Sequence, residues 1–406
     1  MSRYENTHPW LRFEADFRRA PQDLWVMLGE CQSKIEHLAG AHLRPGTARA
    51  LHTLYLAKGV RATTAIEGNT LTEQQVLDYL DNKLKLQPSQ QYLQQEIANI
   101  TEACNRIGSQ IAAGQSSLLS VDRIKDFNRA VLNGLELDEG VVPGQIPDFN
   151  VGVPGYRGAP REECEQLLAR LCQWLNGQGF AQHNELKTAM AILKAVIAHL
   201  YLAWIHPFGD GNGRTARLVE FDILLSAGVP SPAAHLLSNH YNLTRSDYYR
   251  RLDGASKSGG DIIPFCLYAV RGLRDGLQEQ LSYVQAQQRD IIWRNYVHEM
   301  LGQKTGTANR RRRQLVLDLS TRDTPVLRDE ITLLSPAVTL AYSHKGERTL
   351  SRDLNALLEM ELIITRPLQG KKNGANMGYE ANKSLIEAFL PFRRERTDTD
   401  ENGSRA

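Results

Sequence analysis

Apolar residues recur at helical spacing over long stretches of this chain, and the runs are punctuated by Gly and Pro. The longest, Glu185 to Trp204, is rich in Ala and Leu and contains neither breaker, so it predicts a mostly buried helix. Pro207 should end it, because proline lacks an amide donor and restricts the residue before it. A second helix is predicted from about Arg214 through Leu225, stopping ahead of Gly228 and Pro230. Earlier in the chain the pattern predicts helices over Pro21–Leu38 and Thr47–Gly59. There Thr70, with Glu73 three residues on, reads as a capping box. Residues 276–300 are polar and Gln-rich with apolar residues at helical spacing, which predicts a connecting helix. Between Val142 and Pro160 the Pro and Gly content excludes a helix, and Phe149, Val151 and Val153 alternate as in a short hairpin.

Length and charge narrow the class. The 406 residues suffice for two or three domains, and a formal net charge of +2 does not announce a nucleic-acid partner. Five cysteines (Cys31, Cys104, Cys164, Cys172, Cys266) are odd in number and lack metal spacing, as expected of buried thiols in a reducing compartment. With no signal-peptide pattern and no apolar run read as reaching transmembrane length, the expectation is a cytoplasmic protein without a membrane partner.

The chemistry concentrates in His206-Pro-Phe-Gly-Asp-Gly-Asn-Gly-Arg-Thr-Ala-Arg217. His206 would stand at the end of a rigid helix, aimed into a loop. Gly209, Gly211 and Gly213 allow a tight turn with exposed amides, and the following helix start favours an anion. Arg214 and Arg217 share one helix face and suit successive phosphates. A carboxylate in an otherwise positive phosphate site, Asp210, reads as a divalent-metal ligand whose shell phosphate oxygens complete. Asn212 either hydrogen-bonds a phosphoryl oxygen or orients the turn.

This segment resembles the signature of the Fic (filamentation induced by cyclic AMP) domain family, His-Pro-Phe-x-x-Gly-Asn-Gly-Arg-x-x-Arg, at every fixed position. The resemblance implies a mainly α fold: a Fic-type helical core with a short β-hairpin flap, using ATP and Mg²⁺. The activity it implies is transfer of AMP from ATP to a Ser, Thr or Tyr hydroxyl of a protein, releasing pyrophosphate. Carried onto this chain, His206 would be the general base and Asp210 would hold Mg²⁺. Asn212, with the Gly211 and Gly213 amides, would cradle the α-phosphate, Arg214 would contact the inner phosphates and Arg217 the γ-phosphate. Upstream, Thr63-Thr-Ala-Ile-Glu67-Gly-Asn69 resembles the family's inhibitory motif, which implies that Glu67 reaches Arg217 and removes it from γ-phosphate duty. The 142–160 segment resembles the family's flap, with Phe149, Asn150, Val151 and Gly152 as the target-docking strand. Ile146-Pro147 stands where an arginine is common, so the target's identity stays open.

After Gly302 the composition changes. Arg310–Arg313 precede a predicted helix, Thr324-Pro325 and Ser335-Pro336 open two helical runs, and a third helix spans Leu350–Glu361. Residues 362–366 and 377–379 then flank a wing turn at 370–376. Three helices and a hairpin look like a winged helix-turn-helix. Its Arg348, Arg352, Arg366, Lys371 and Lys372 favour DNA, while Asp353, Glu359 and Glu361 oppose it. The expected organisation is a helical region 1–110 with the inhibitory motif at 63–69, a catalytic core 111–275, a connecting helix 276–305, a winged helix 306–392 and a disordered tail 393–406. The leading reading is an autoinhibited protein adenylyltransferase whose protein substrate includes, as one option, the chain itself. Two alternatives stay open: an AMP-removing hydrolase, and a DNA-binding regulator with a nucleotide-sensing Fic domain. A homodimer is also left open.

Overall fold

The apolar run ahead of Pro207 becomes the central helix of the structure. The computed structural model describes residues 3–115, 118–153, 155–180, 186–302, 306–368 and 377–387. It forms two compact units, residues 1–284 and 285–406. In the first, α1 (Arg3–Thr7), α2 (Gln22–Ala39), α3 (Pro45–Ala65), α4 (Glu73–Leu80), α5 (Gln91–Ala112) and α6 (Val121–Val131) precede a two-stranded hairpin, β1 (Gly152–Val153) and β2 (Tyr156–Arg157). Then come α7 (Arg161–Leu175), α8 (Lys187–Ile205), α9 (Asn212–Ser226), α10 (Ser231–Ala234), α11 (Leu236–Leu243), α12 (Arg245–Lys257) and the start of α13 (Ile263–Gly302).

Burial accounts for α8. Among its residues Ile192, Leu193, Val196, Ile197, Leu200 and Ile205 have no exposed surface, and helices α2, α7, α9 and α12 pack against it. By length and composition α8 could also cross a membrane, which corrects the reading that no apolar run reaches that length. Most of it lies in the protein interior, which is why it is apolar all round.

Two local expectations shift. The helix expected to stop at Gly59 runs to Ala65, because Pro45 starts it and Gly59 is a packing glycine: a Cβ there would collide with the His235 ring. The capping box sits at Thr72 and Gln75 rather than Thr70 and Glu73. Thr72 Oγ1 accepts the Gln75 amide at 3.2 Å, and Gln75 Oε1 accepts the Thr72 amide at 2.9 Å.

The second unit comprises the rest of α13, then α14 (Thr307–Leu319), α15 (Pro336–Tyr342), α16 (Glu347–Glu359) and the antiparallel pair β3 (Ile363–Pro367) and β4 (Met377–Ala381). The helix read over 276–300 is thus part of a longer one. Arg310–Arg313 lie inside α14 rather than ahead of it. Thr324-Pro325 opens no α-helix. Val326 bridges Tyr379 through two 2.8 Å backbone bonds, and a 3-10 turn, Arg328–Leu333, follows. The wing turn 370–376 with Lys371 and Lys372, residues 303–305 and the tail 393–406 lie outside the described residues.

Asp353 holds this unit. It is 1% exposed and accepts from Arg311 Nε at 2.6 Å, Arg312 Nε at 2.7 Å and Tyr342 Oη at 3.0 Å. Two of the four consecutive arginines are therefore committed internally rather than to phosphate. Asp353→Ala leaves two guanidinium groups without their anion, and breaking a buried pair costs about 3–5 kcal/mol. The expected result is a lower melting transition with faster amide exchange across α14 and α16; unchanged exchange there would contradict it.

Candidate active site

Helix α8 ends at Ile205 because Pro207 cannot extend the hydrogen-bond ladder. His206 caps it in the left-handed region (φ 51°, ψ 57°), an uncommon conformation for a non-glycine residue. Its ring Nδ1 lies 3.3 Å from the Ala203 carbonyl oxygen. A carbonyl only accepts, so Nδ1 carries the proton and Nε2 keeps its lone pair. Burial holds the imidazole below its usual value of 6.5, with the Ala203 carbonyl, Glu67 and Asp210 pulling the other way. The result is a neutral base with its acceptor nitrogen fixed.

The turn that follows is clasped by Asn212. Its Oδ1 accepts from the Phe208 amide at 3.0 Å and its Nδ2 donates to the Phe208 carbonyl at 2.6 Å. These two bonds give Asn212 the turn-orienting role. The side chain is buried and bonded within the turn. Gly211 (φ 75°) supplies the reversal as the cap of α9, which begins two residues earlier than expected. Asn128, from α6, anchors the turn from outside, donating to the Asp210 carbonyl at 2.9 Å and accepting from the Gly144 amide at 2.8 Å.

Both arginines point from α9 into carboxylates. Arg217, 1% exposed, donates through Nη2 to Glu67 Oε1 and to the Thr63 carbonyl, the latter at 2.9 Å. Glu67 lies in the turn just beyond α3. Its carboxylate stands at the N-terminus of α9, where a Cβ on Gly213 would collide with it. Burial raises the Glu67 carboxyl, but Arg217, Arg214 and His206 outweigh it and hold the group below its usual range. Arg217 Nε and Nη1 have no hydrogen-bond partner. Arg214 donates to Glu96 Oε1 at 2.8 Å and to Asp210 Oδ2 at 3.0 Å, and Glu96 also accepts from Asn69 Nδ2 at 2.8 Å. Segment 63–69 thus reaches both arginines, Arg217 directly and Arg214 through Glu96.

A cavity of about 720 Å³ opens beside His206, bordered by Glu67, Tyr156, Trp204, Tyr248 and Tyr249. Below it, His199 joins Tyr248 Oη at 2.8 Å to Glu220 at 3.3 Å, and Tyr241 donates to Glu220 at 2.8 Å. Sequence reading missed Glu96, Asn128, His199, Glu220 and the tyrosines. Only the Tyr248-Tyr249 pair offered a local signal. Of the flap residues, Phe149 and Gly152 are exposed, whereas Val151 is buried and Asn150 Oδ1 accepts the Arg161 amide at 3.1 Å. The flap residues bordering the cavity are Val153, Gly155 and Tyr156.

Asp210 is half-exposed. Among the described residues no cluster of three or more His, Cys, Asp or Glu could enclose a metal. That donor set fits Mg²⁺ bound through one carboxylate with substrate phosphates, and no all-protein cage. The site also makes a titration testable. By NMR, His206 should titrate below 6.5, and lower again in Glu67→Gln, because loss of a nearby negative charge disfavours the imidazolium. A midpoint above 6.5 would contradict the burial argument.

Residues 118–224 match the model of the Fic/DOC family. The chain is 28% identical over 254 residues to Protein adenylyltransferase fic-1 of Caenorhabditis briggsae, covering 62% of this chain and 46% of that protein. It is 29% identical over 255 residues to Protein adenylyltransferase Fic of Drosophila melanogaster, covering 63% and 47%. It therefore spans about half the length of these curated relatives. Among solved structures, a Fic family protein from Desulfovibrio desulfuricans aligns with TM-score 0.54 at 22% identity, covering 89% of this chain and 96% of that one, a likeness of fold. Fic-1 from C. elegans aligns with TM-score 0.51 at 25% identity, covering 64% and 72%. The turn with His206, Asp210 and both arginines falls within the matched residues and Glu67 outside them: this chain carries a Fic/DOC family domain.

Proposed function

We propose that this protein moves AMP from ATP onto a Ser, Thr or Tyr hydroxyl of another protein or of itself, and that Glu67 represses the reaction. One observation carries the reading. A neutral histidine with a free Nε2 shares its turn with a carboxylate and stands beside two buried arginines whose anionic partners are the chain's own carboxylates. The names of the curated relatives agree with it.

In this reading His206 Nε2 takes the hydroxyl proton as the hydroxyl oxygen bonds to the α-phosphorus. The bond from that phosphorus to the bridging oxygen breaks, and pyrophosphate leaves with the electron pair. Arg214 binds the inner phosphates and Arg217 the γ-phosphate, which would satisfy the Arg217 nitrogens that have no partner in the protein. Asp210 would hold Mg²⁺, which supplies neutralisation of phosphate charge. Glu67 represses because a carboxylate and a phosphate oxygen compete for one guanidinium.

A second reading, hydrolytic removal of AMP, has one observation in its favour: Glu67 and His206 border the same cavity, so an ionised carboxylate is placed to orient water. Five free, buried cysteines accord with a reducing compartment, and the cytoplasm is the proposed location. DNA is left out of the proposal: of the basic residues that favour it, Arg366 donates to Glu380 Oε1 at 3.0 Å, and Lys371 and Lys372 lie outside the described residues.

Labelled ATP with Mg²⁺ in cell lysate separates these readings. Glu67→Gly should label a discrete protein at least tenfold more than wild type, and adding His206→Ala should abolish the label. Equal labelling by wild type and Glu67→Gly would sink autoinhibition; loss of label from a pre-modified protein would favour removal.

A further inference from the structure

The flap hairpin has two residues per strand, too few to hold its own shape. Two of its ties lead to the end of α8: Tyr156 Oη donates to the Trp204 carbonyl at 2.5 Å, and the Ala159 amide donates to the Ile205 carbonyl at 3.0 Å. Another comes from far away in sequence. His8 Nε2 lies 2.8 Å from the Arg157 carbonyl oxygen, which can only accept, so Nε2 carries a proton. The ring is 4% exposed and lies 5.0 Å from Trp10 and 6.2 Å from Tyr156.

The segment carrying His8 is itself fastened. Glu163, in the first turn of α7, accepts the Arg3 amide at 2.9 Å and the Tyr4 amide at 2.6 Å, which satisfies free donors at the start of α1. The Arg170 guanidinium lies 5.6 Å from the Tyr4 ring centroid and 4.7 Å from that of Phe13, and the Phe13 amide donates to Tyr201 Oη at 3.3 Å. Gly260, at φ 92°, leaves room for Trp10: a Cβ there would come within 2.8 Å of the Trp10 carbonyl oxygen.

We propose that His8 is a positioning residue, holding the flap at the Arg157 carbonyl so that a target segment is presented in register with His206. Arg157 is next to Gly158, whose Cβ, if present, would lie 3.0 Å from the His206 Cβ. A flap displaced at Arg157 is therefore displaced against the base. What the flap presents rests on the transferase reading; that His8 fixes the flap does not.

The test uses the full chain as wild type, His8→Ala and His8→Gln, glutamine keeping a donor near the Nε2 position. Amide exchange in peptides covering the flap should rise on the order of tenfold in His8→Ala, the upper factor for one net hydrogen bond. Exchange in α8 and ATP affinity should stay unchanged, and His8→Gln should recover most of the protection. Unchanged flap exchange, equal loosening of α8, or no recovery with glutamine overturns the proposal. In a Glu67→Gly background, with a tagged His206→Ala copy of this chain as acceptor, His8→Ala should raise KM for the acceptor and leave kcat near its starting value, and His8→Gln should restore KM. A fall in kcat with KM unmoved also overturns it. No transfer at all by Glu67→Gly counts against the transferase reading, while the exchange result still decides the role of His8.

Discussion

Arg217 is a full positive charge inside a helical core, and a buried cation must have an anion. The fold supplies it from outside the matched domain: Glu67, in the turn after α3, reaches across to the N-terminus of α9. Three features of the site follow from this requirement. Gly213 must lack a side chain for the carboxylate to fit, Thr63 must lend its carbonyl to the same guanidinium, and the long α3 must end where it does. A triphosphate offers the arginine an equivalent anion. Under the proposed function, the site becomes a competition between one carboxylate and one phosphate for the same buried charge.

The second constraint is the left-handed His206. Pro207 stops α8, the Ala203 carbonyl fixes the ring tautomer, and Asn212 ties the turn shut on Phe208. The base therefore reaches the cavity on rigid supports, with α8 and α9 buried on either side of the turn. Preorganisation of this kind suits a reaction in which placement and charge neutralisation do most of the catalytic work.

Much of this was legible in the sequence wherever a local rule decides. Proline after a buried run placed the end of α8, the glycine-rich turn was plain, and the phasing of Arg214 and Arg217 set both on one face. The Glu67 contact could be expected from motif resemblance, although nothing in its own neighbours demands it. What failed to show depends on partners distant in the chain. Gly59 reads as a helix stop, but the His235 ring packed over it makes it a close-approach site within α3. Arg311 and Arg312 are expected ahead of a helix, yet they lie inside α14, where Asp353, some forty residues later, takes both. The clasp of Asn212 on Phe208 is one of two roles the sequence leaves open, because its partner is backbone, which no pattern of side chains reveals. Glu96 joins the site only through tertiary packing of α5 against α9.

On the proposed function, Glu67 stands where the terminal phosphate would be held. Calorimetric affinities for ATP and ADP, measured in wild type and in Glu67→Gly, test it most directly, because the ratio of the two isolates the γ-phosphate. ATP and ADP should bind wild type with similar affinity. Glu67→Gly should prefer ATP by about tenfold or more, the scale of one charge-assisted contact regained. The same ATP-to-ADP ratio in both proteins would contradict it.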